Sequence, residues 1–417
     1  MIPHRSRIDL RILSRRLRAM TTALLAAASL APCATHAQDA PPNPLSVVER
    51  ASAREPDDPA LLYFVAFFRA RAYDADGALD ALEQLLAKAD GILPTAENFP
   101  ALKDDRRFAV TQARFERRLP RVGHATTKVT LKDRLLIPEG IAYDAGARRL
   151  YVGSIAKRGV FRIDDAGRAI PFSRAEDGLD AVLGIAADAK RRRLYVVSTS
   201  GITERGRASP RNAIAIYDLD RAVLLQTIAV PDARQLNDVA FTPDGTLLAT
   251  DSAAGAIYRI DPAAAAASVL VKPGGAPGAN GIAAAPDGRH AYVAANRRPV
   301  RVDVATGEVA PLAVPAGRNA AVIDGLYWHD GALIAVQNFT TPGRVIRLVL
   351  SPAGDRIVDV QTLLSHHHPA IHEPTTATIA PDGLYLLTRT YVTRYNDQGV
   401  IEGRDTVKPA VVLRVPL

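Results

Sequence analysis

The sequence predicts an all-β six-bladed β-propeller with a small N-terminal α-helical hairpin. Three observations carry that prediction. From about residue 125 the helical period disappears, and short apolar strands alternate with Asp- and Gly-rich turns. A strand–turn–strand unit recurs six times, beginning at Glu139, Leu183, Asn237, Asn280, Asp324 and Thr375. The intervals of 44, 54, 43, 44 and 51 residues suit a four-stranded blade repeated around an axis.

In chain order, residues 1–37 read as a secretory signal. Six Arg precede the apolar run "ALLAAASLA", and "ATHA" offers small residues for cleavage after Ala37. The run is too short to span a bilayer, and no later segment is long and apolar enough to do so. Pro32 before Cys33 spoils a lipoprotein box, and Arg18 spoils a twin-arginine motif. A periplasmic or secreted protein is therefore expected. Cys33 is the only cysteine, so the mature chain has no disulfide, no thiolate metal site and no cysteine nucleophile. The segment also explains the charge. It carries six Arg against one Asp, hence +5 of the formal +8. The small remainder gives no case for nucleic acid.

Residues 38–57, rich in Pro, Asp and Ala, read as a linker. Residues 58–118 read as a helical, tetratricopeptide-like segment. Asp58 and Pro59 mark a helix start. Leu61, Phe64, Val65 and Phe68 share one face, as do Leu79, Leu82, Leu85 and Leu86, and "DADG" separates the pair. One hairpin cannot stand alone, so it is expected to pack on the propeller or on a protein partner. Residues 125–417 form the propeller. "ATTKVTL" or the C-terminal "AVVLRVPL" supplies the strand that closes the ring. Arg191–Arg193 read as a solvated turn, and Tyr143, Tyr327 and Trp328 as core or pocket wall.

The first residue of each unit begins an innermost strand, and these starts surround one end of the channel. Glu139, Asn237, Asn280 and Asp324 bring four side-chain oxygens to that end. Taken singly, Asn-Gly, Asp-Gly and Asn-Asp are turn dipeptides. Glu139 is not a turn residue, yet it shares the register. Two carboxylates and two amides suit calcium, with another divalent cation possible, and the lack of thiolate and imidazole argues against zinc or copper there.

These four motifs, Glu139-Gly140, Asn237-Asp238, Asn280-Gly281 and Asp324-Gly325, resemble the senescence marker protein/gluconolactonase family of six-bladed calcium propellers, over roughly residues 130–400. The resemblance implies that Glu139, Asn280 and Asp324 ligate the metal, and that Asn237 ligates it too or holds substrate through a water, with its neighbour Asp238 a further substrate-binding candidate. It implies a lactone or ester as the small-molecule substrate, and Asp324 as a base. "EGIAYD" and "NDV" depart from the family's usual motifs, and the family normally lacks the helical hairpin.

"HHHPAIHEP", residues 366–374, precedes the sixth inner strand, so His372 and Glu373 are further acid–base candidates. His368 and His372 have a helical zinc spacing, but Pro369 and Pro374 oppose the helix it needs. No phosphate loop and no GxSxG elbow occurs. Two functions remain open: an exported calcium-dependent lactonase, or a non-catalytic propeller that binds a protein or a cell-envelope glycan, with the hairpin as docking surface.

Overall fold

The computed structural model describes residues 43–203 and 211–417. The signal segment, Cys33 and Gln38 lie outside the described residues. Among the described residues four α-helices come first: α1 (Pro44–Arg54), α2 (Pro59–Arg71), α3 (Ala75–Lys88) and α4 (Arg106–Arg118). Residues 44–54 were expected to be linker. They are helical because Asn43 caps Leu45 N–H, Pro44 suits the first turn, and Val47 and Val48 are buried. Asp58, Asp74 and Asp105 cap the other three helices.

Helix α2 is buried all round, from Ala60 to Phe68, as a helix enclosed on every side must be. Its neighbours are α1, α3 and the propeller. Phe339 of the propeller enters the helical core and meets Tyr63, Phe64 and Phe67 at ring-centroid distances of 5.8, 6.3 and 5.7 Å. Asn98 Nδ2 donates to the Phe339 carbonyl at 2.7 Å, and Asn319 Nδ2 to the Gly91 carbonyl at 2.9 Å. Arg297 and Arg298 both reach Asp58 and Glu55. The hairpin's apolar side therefore closes on the propeller.

Six antiparallel four-stranded sheets form the ring. Blades one to five run in sequence from inner to outer strand and begin at Pro138, Ala181, Leu236, Ile282 and Ile323. Blade six takes Ala377–Ala380, Gly383–Thr388 and Val411–Val415 from the C-terminus, and Thr126–Thr130 from upstream as its outer strand. Both candidate closing segments are thus used, side by side.

Aromatic pairs join adjacent blades: Tyr195 with Phe241, Tyr292 with Trp328, and Tyr143 with Tyr385, at 5.8, 5.7 and 5.3 Å. Such pairs contribute about 0.5–1.5 kcal/mol beyond their buried area. Arg192 is not a solvated turn residue. It bridges the fully buried Asp144 of blade one to Asp220 of blade two.

Candidate functional site

The inner strands carry the site, and four of the six bend at the same place. Register shifts interrupt the first hairpins of blades one, two, three and five at Glu139-Gly140, Leu183-Gly184, Asn237-Asp238 and Asp324-Gly325. A bulge of this kind re-aims a side chain next to an active site. The glycines permit close approach of neighbouring inner strands. A Cβ on Gly140 would lie 1.9 Å from the Leu183 carbonyl oxygen. One on Gly281 would lie 2.4 Å from Leu326 N, and the real Gly281 N–H donates to the Asp324 carbonyl at 2.7 Å. The dipeptides that look like turn formers are the inner ring of the propeller.

A cavity of about 120 Å³ opens at this end of the channel, and Glu139, Asn237, Asn280 and Asp324 all line it. Glu139, Asn237 and Asp324 are buried, and Asn280 is half-buried. Asn280 Nδ2 donates to Asp324 Oδ1 at 2.7 Å. Asn237 Nδ2 donates to Ser252 Oγ at 2.7 Å. The residues present fit a hard divalent cation: two carboxylates and two carboxamides share one small cavity, and no sulfur or imidazole ligand lines it among the described residues.

Sequence reasoning missed several residues of the wall. Asn338 Nδ2 donates to Asp324 Oδ2 at 2.6 Å, so both oxygens of that carboxylate are held by amides. Asn296 also lines the cavity, and among the described residues its buried Nδ2 meets no acceptor. A signal existed. Ser252 and Asn338 directly follow the second strands of blades three and five, Leu247–Asp251 and Ala332–Gln337, and Asn296 lies just beyond that of blade four, His290–Val293. In an antiparallel hairpin that end lies beside the start of strand one.

Three expected site residues lie elsewhere. Asp238 is buried beneath the cavity rather than in its wall. Its Oδ1 accepts from Val239 N–H at 2.9 Å and its Oδ2 from Ile282 N–H at 3.2 Å, which ties blade three to blade four. Burial, with repulsion from Asp324 added, pushes its pKa up to about 7. His372 is exposed, edge-on to Tyr391 at 5.0 Å, and does not line the cavity. Glu373 accepts from Thr393 N–H at 2.8 Å. It anchors the short turn Val392–Arg394, whose Val392 and Thr393 reach the mouth. The cause is the left-handed backbone at Glu373 (φ 47°), which turns the chain away just before the sixth inner strand. Tyr327, in contrast, is half-buried in the ring, and its hydroxyl accepts from Ala377 N–H of blade six at 2.6 Å.

Fold and wall together define a six-bladed propeller with an oxygen-lined channel mouth. The family model of the SMP-30/gluconolactonase/LRE-like region matches residues 137–361, more than half of the chain, and the protein belongs to that family. Among solved structures, the chain is similar to the PQQ-bound aldose sugar dehydrogenase of Streptomyces coelicolor, with a TM-score of 0.50 and 19% identity over 71% of this chain and 99% of that one. It is also similar to a gluconolactonase of Xanthomonas campestris, with a TM-score of 0.46 and 18% identity over 71% and 91%. At these identities the likeness concerns the fold alone. No curated protein matches the sequence. No helix among the described residues is long and apolar enough to cross a membrane.

Proposed function

We propose that the chain is an exported, metal-dependent hydrolase of lactones or related esters. Its cation, calcium or a similar divalent ion, is held at the channel mouth by Glu139, Asn237, Asn280 and Asp324. The observation that carries this reading is the meeting of those four residues, drawn from four blades, in the wall of one cavity. Membership of the family supports the substrate class.

A cation bound there supplies Lewis acidity toward an ester carbonyl. The chain's own residues do the rest. Asn280 and Asn338 fix the Asp324 carboxylate from both sides. Glu139 and Asp324 are the ionisable groups among the described wall residues, so the proton of an attacking water passes to one of these carboxylates. The amide of Asn296 is placed to donate to a substrate oxygen. Ile155, Leu183, Ile202, Val322 and Val392 offer the carbon skeleton an apolar wall and exclude bulk water.

The test is metal analysis of the purified protein followed by a lactone and ester panel. Bound calcium and hydrolysis are expected, both lost in Glu139→Gln. Absence of turnover by the calcium-loaded protein overturns the enzyme and leaves the non-catalytic, glycan- or protein-binding propeller. Export is tested separately, by N-terminal sequencing. A mature chain beginning near Gln38 is expected, and an intact Arg-rich segment on functional protein contradicts it.

A further inference from the structure

We propose a second metal site, outside the channel, in which Glu116, His366 and His367 bind a zinc-like divalent ion and clasp the helical segment to the propeller. Glu116 lies in the last turn of α4, and the two histidines follow the outer strand of blade five, Ile357–Leu364. None of the three lines the channel cavity.

Their geometry supports an ion. One ligand atom from each residue fits within 4.8 Å of the others. His367 Nε2 lies 2.7 Å from Glu116 Oε1, and His366 Nε2 lies 3.2 Å from both Glu116 oxygens. A tetrahedral zinc ion, with bonds of roughly 2.0–2.1 Å, separates its ligands by roughly 3.3 Å. Small outward adjustments therefore admit the ion. Two imidazoles and one carboxylate are a zinc donor set that leaves a fourth position open, whereas calcium prefers oxygen alone.

The surroundings orient the ligands. Ser365 Oγ lies 3.1 Å from His367 Nδ1, the ring atom turned away from Glu116. A hydrogen bond to the other nitrogen is how proteins fix a metal-binding imidazole. The His366 and His367 rings lie 4.0 Å apart, tilted by 37°, and both turn Nε2 toward Glu116. Ser365 N–H donates to the Val122 carbonyl at 3.0 Å, so the chain leaving α4 is tied to the histidine segment. All three side chains are half-buried or nearly so, at 35, 14 and 15% exposure for Glu116, His366 and His367. Arg121 reaches His366 electrostatically and opposes added positive charge, while Glu116 offsets it.

The neighbouring His368 is excluded from the set. Its Nδ1 accepts from Ala370 N–H at 3.3 Å, within its own turn. The pairing therefore differs from the His368–His372 spacing, and its carboxylate comes from 250 residues upstream.

The experiment titrates Zn(II) into chelator-stripped protein in excess calcium, which fills the channel site, with Co(II) absorption as a spectroscopic check. One equivalent of zinc is expected, with tetrahedral cobalt bands that zinc displaces and a raised melting temperature. Asp324→Asn should leave zinc affinity unchanged. His367→Ala should weaken it by about 100-fold or more, and Ser365→Ala by about 10-fold, as orienting partners do. Glu116→Gln is nearly isosteric and sits on a half-exposed helix face, so it folds. It keeps a hydrogen-bonding contact with the histidines but loses the ligand, and zinc binding should weaken there too. Absence of stoichiometric zinc, or unchanged affinity in both Glu116→Gln and His367→Ala, overturns the site and leaves a hydrogen-bonded clamp.

Discussion

The channel mouth and the seam between helices and propeller are built in opposite ways. The mouth is assembled by repetition: one strand start is copied around an axis, and in four blades a bulge bends it. Its oxygens converge because symmetry makes them do so. The seam is assembled once. Among the described residues, Phe339 in the helical core, Asn98 on the Phe339 carbonyl, and Arg297 and Arg298 on Asp58 and Glu55 have no counterparts in other blades. Repetition makes a site readable in the sequence. A contact made once leaves no such periodic trace.

The largest effect should come from the mouth. Asp324→Asn replaces an acceptor of two amide hydrogen bonds with a group that is itself half donor, and removes one of two wall carboxylates. Turnover should fall by ~100-fold or more, as expected when a preorganised electrostatic group is lost. The calcium-induced rise in melting temperature should shrink with it. Kinetics and thermal melts with and without chelator read both. Unchanged values would remove Asp324 from the site.

Next is the ring itself. Gly140→Ala forces a methyl against the Leu183 carbonyl and should cost roughly 1–3 kcal/mol, with activity falling in step with the folded fraction. Denaturant unfolding measures it. A neutral outcome would mean that the inner strands do not need this closeness.

The seam should respond more weakly and to acid. Burial pushes the Asp58 carboxyl up, but Arg297 and Arg298 more than reverse this and hold it below its ordinary value of 3.8. A depressed carboxylate stabilises the fold above its unfolded pKa, and that stability is lost as pH falls through the lower, folded value. Below about pH 4 the helices should therefore loosen from the propeller, seen as faster hydrogen exchange in residues 44–118 than in the blades. Asp58→Ala, which also removes the α2 cap, should cost about 1–2 kcal/mol at neutral pH and weaken this acid response, leaving the part due to Glu55, which the same arginines also hold down.

The smallest effect should belong to His372→Ala. Its side chain is exposed and outside the cavity wall, so kcat/KM should stay within about twofold. A tenfold loss would restore it as the acid–base group and break the distinction between mouth and periphery.

By itself, the sequence determined the architecture and the first four residues of the site. Six copies of a strand–turn–strand unit fix six blades, and a shared register sends Glu139, Asn237, Asn280 and Asp324 to one cavity. Periodicity survives in one dimension, which is why it can be read there. The tertiary structure decided what is not periodic. It placed Asp238 beneath the floor and Glu373 behind the mouth, since a bulge and one left-handed residue redirect side chains within two positions. It added Asn338 and Asn296 through the antiparallel return of the second strand. It brought Glu116 to His366 across 250 residues of chain, and Phe339 to Tyr63 across 276. Such pairings depend on how the chain closes in space, and no local pattern encodes them.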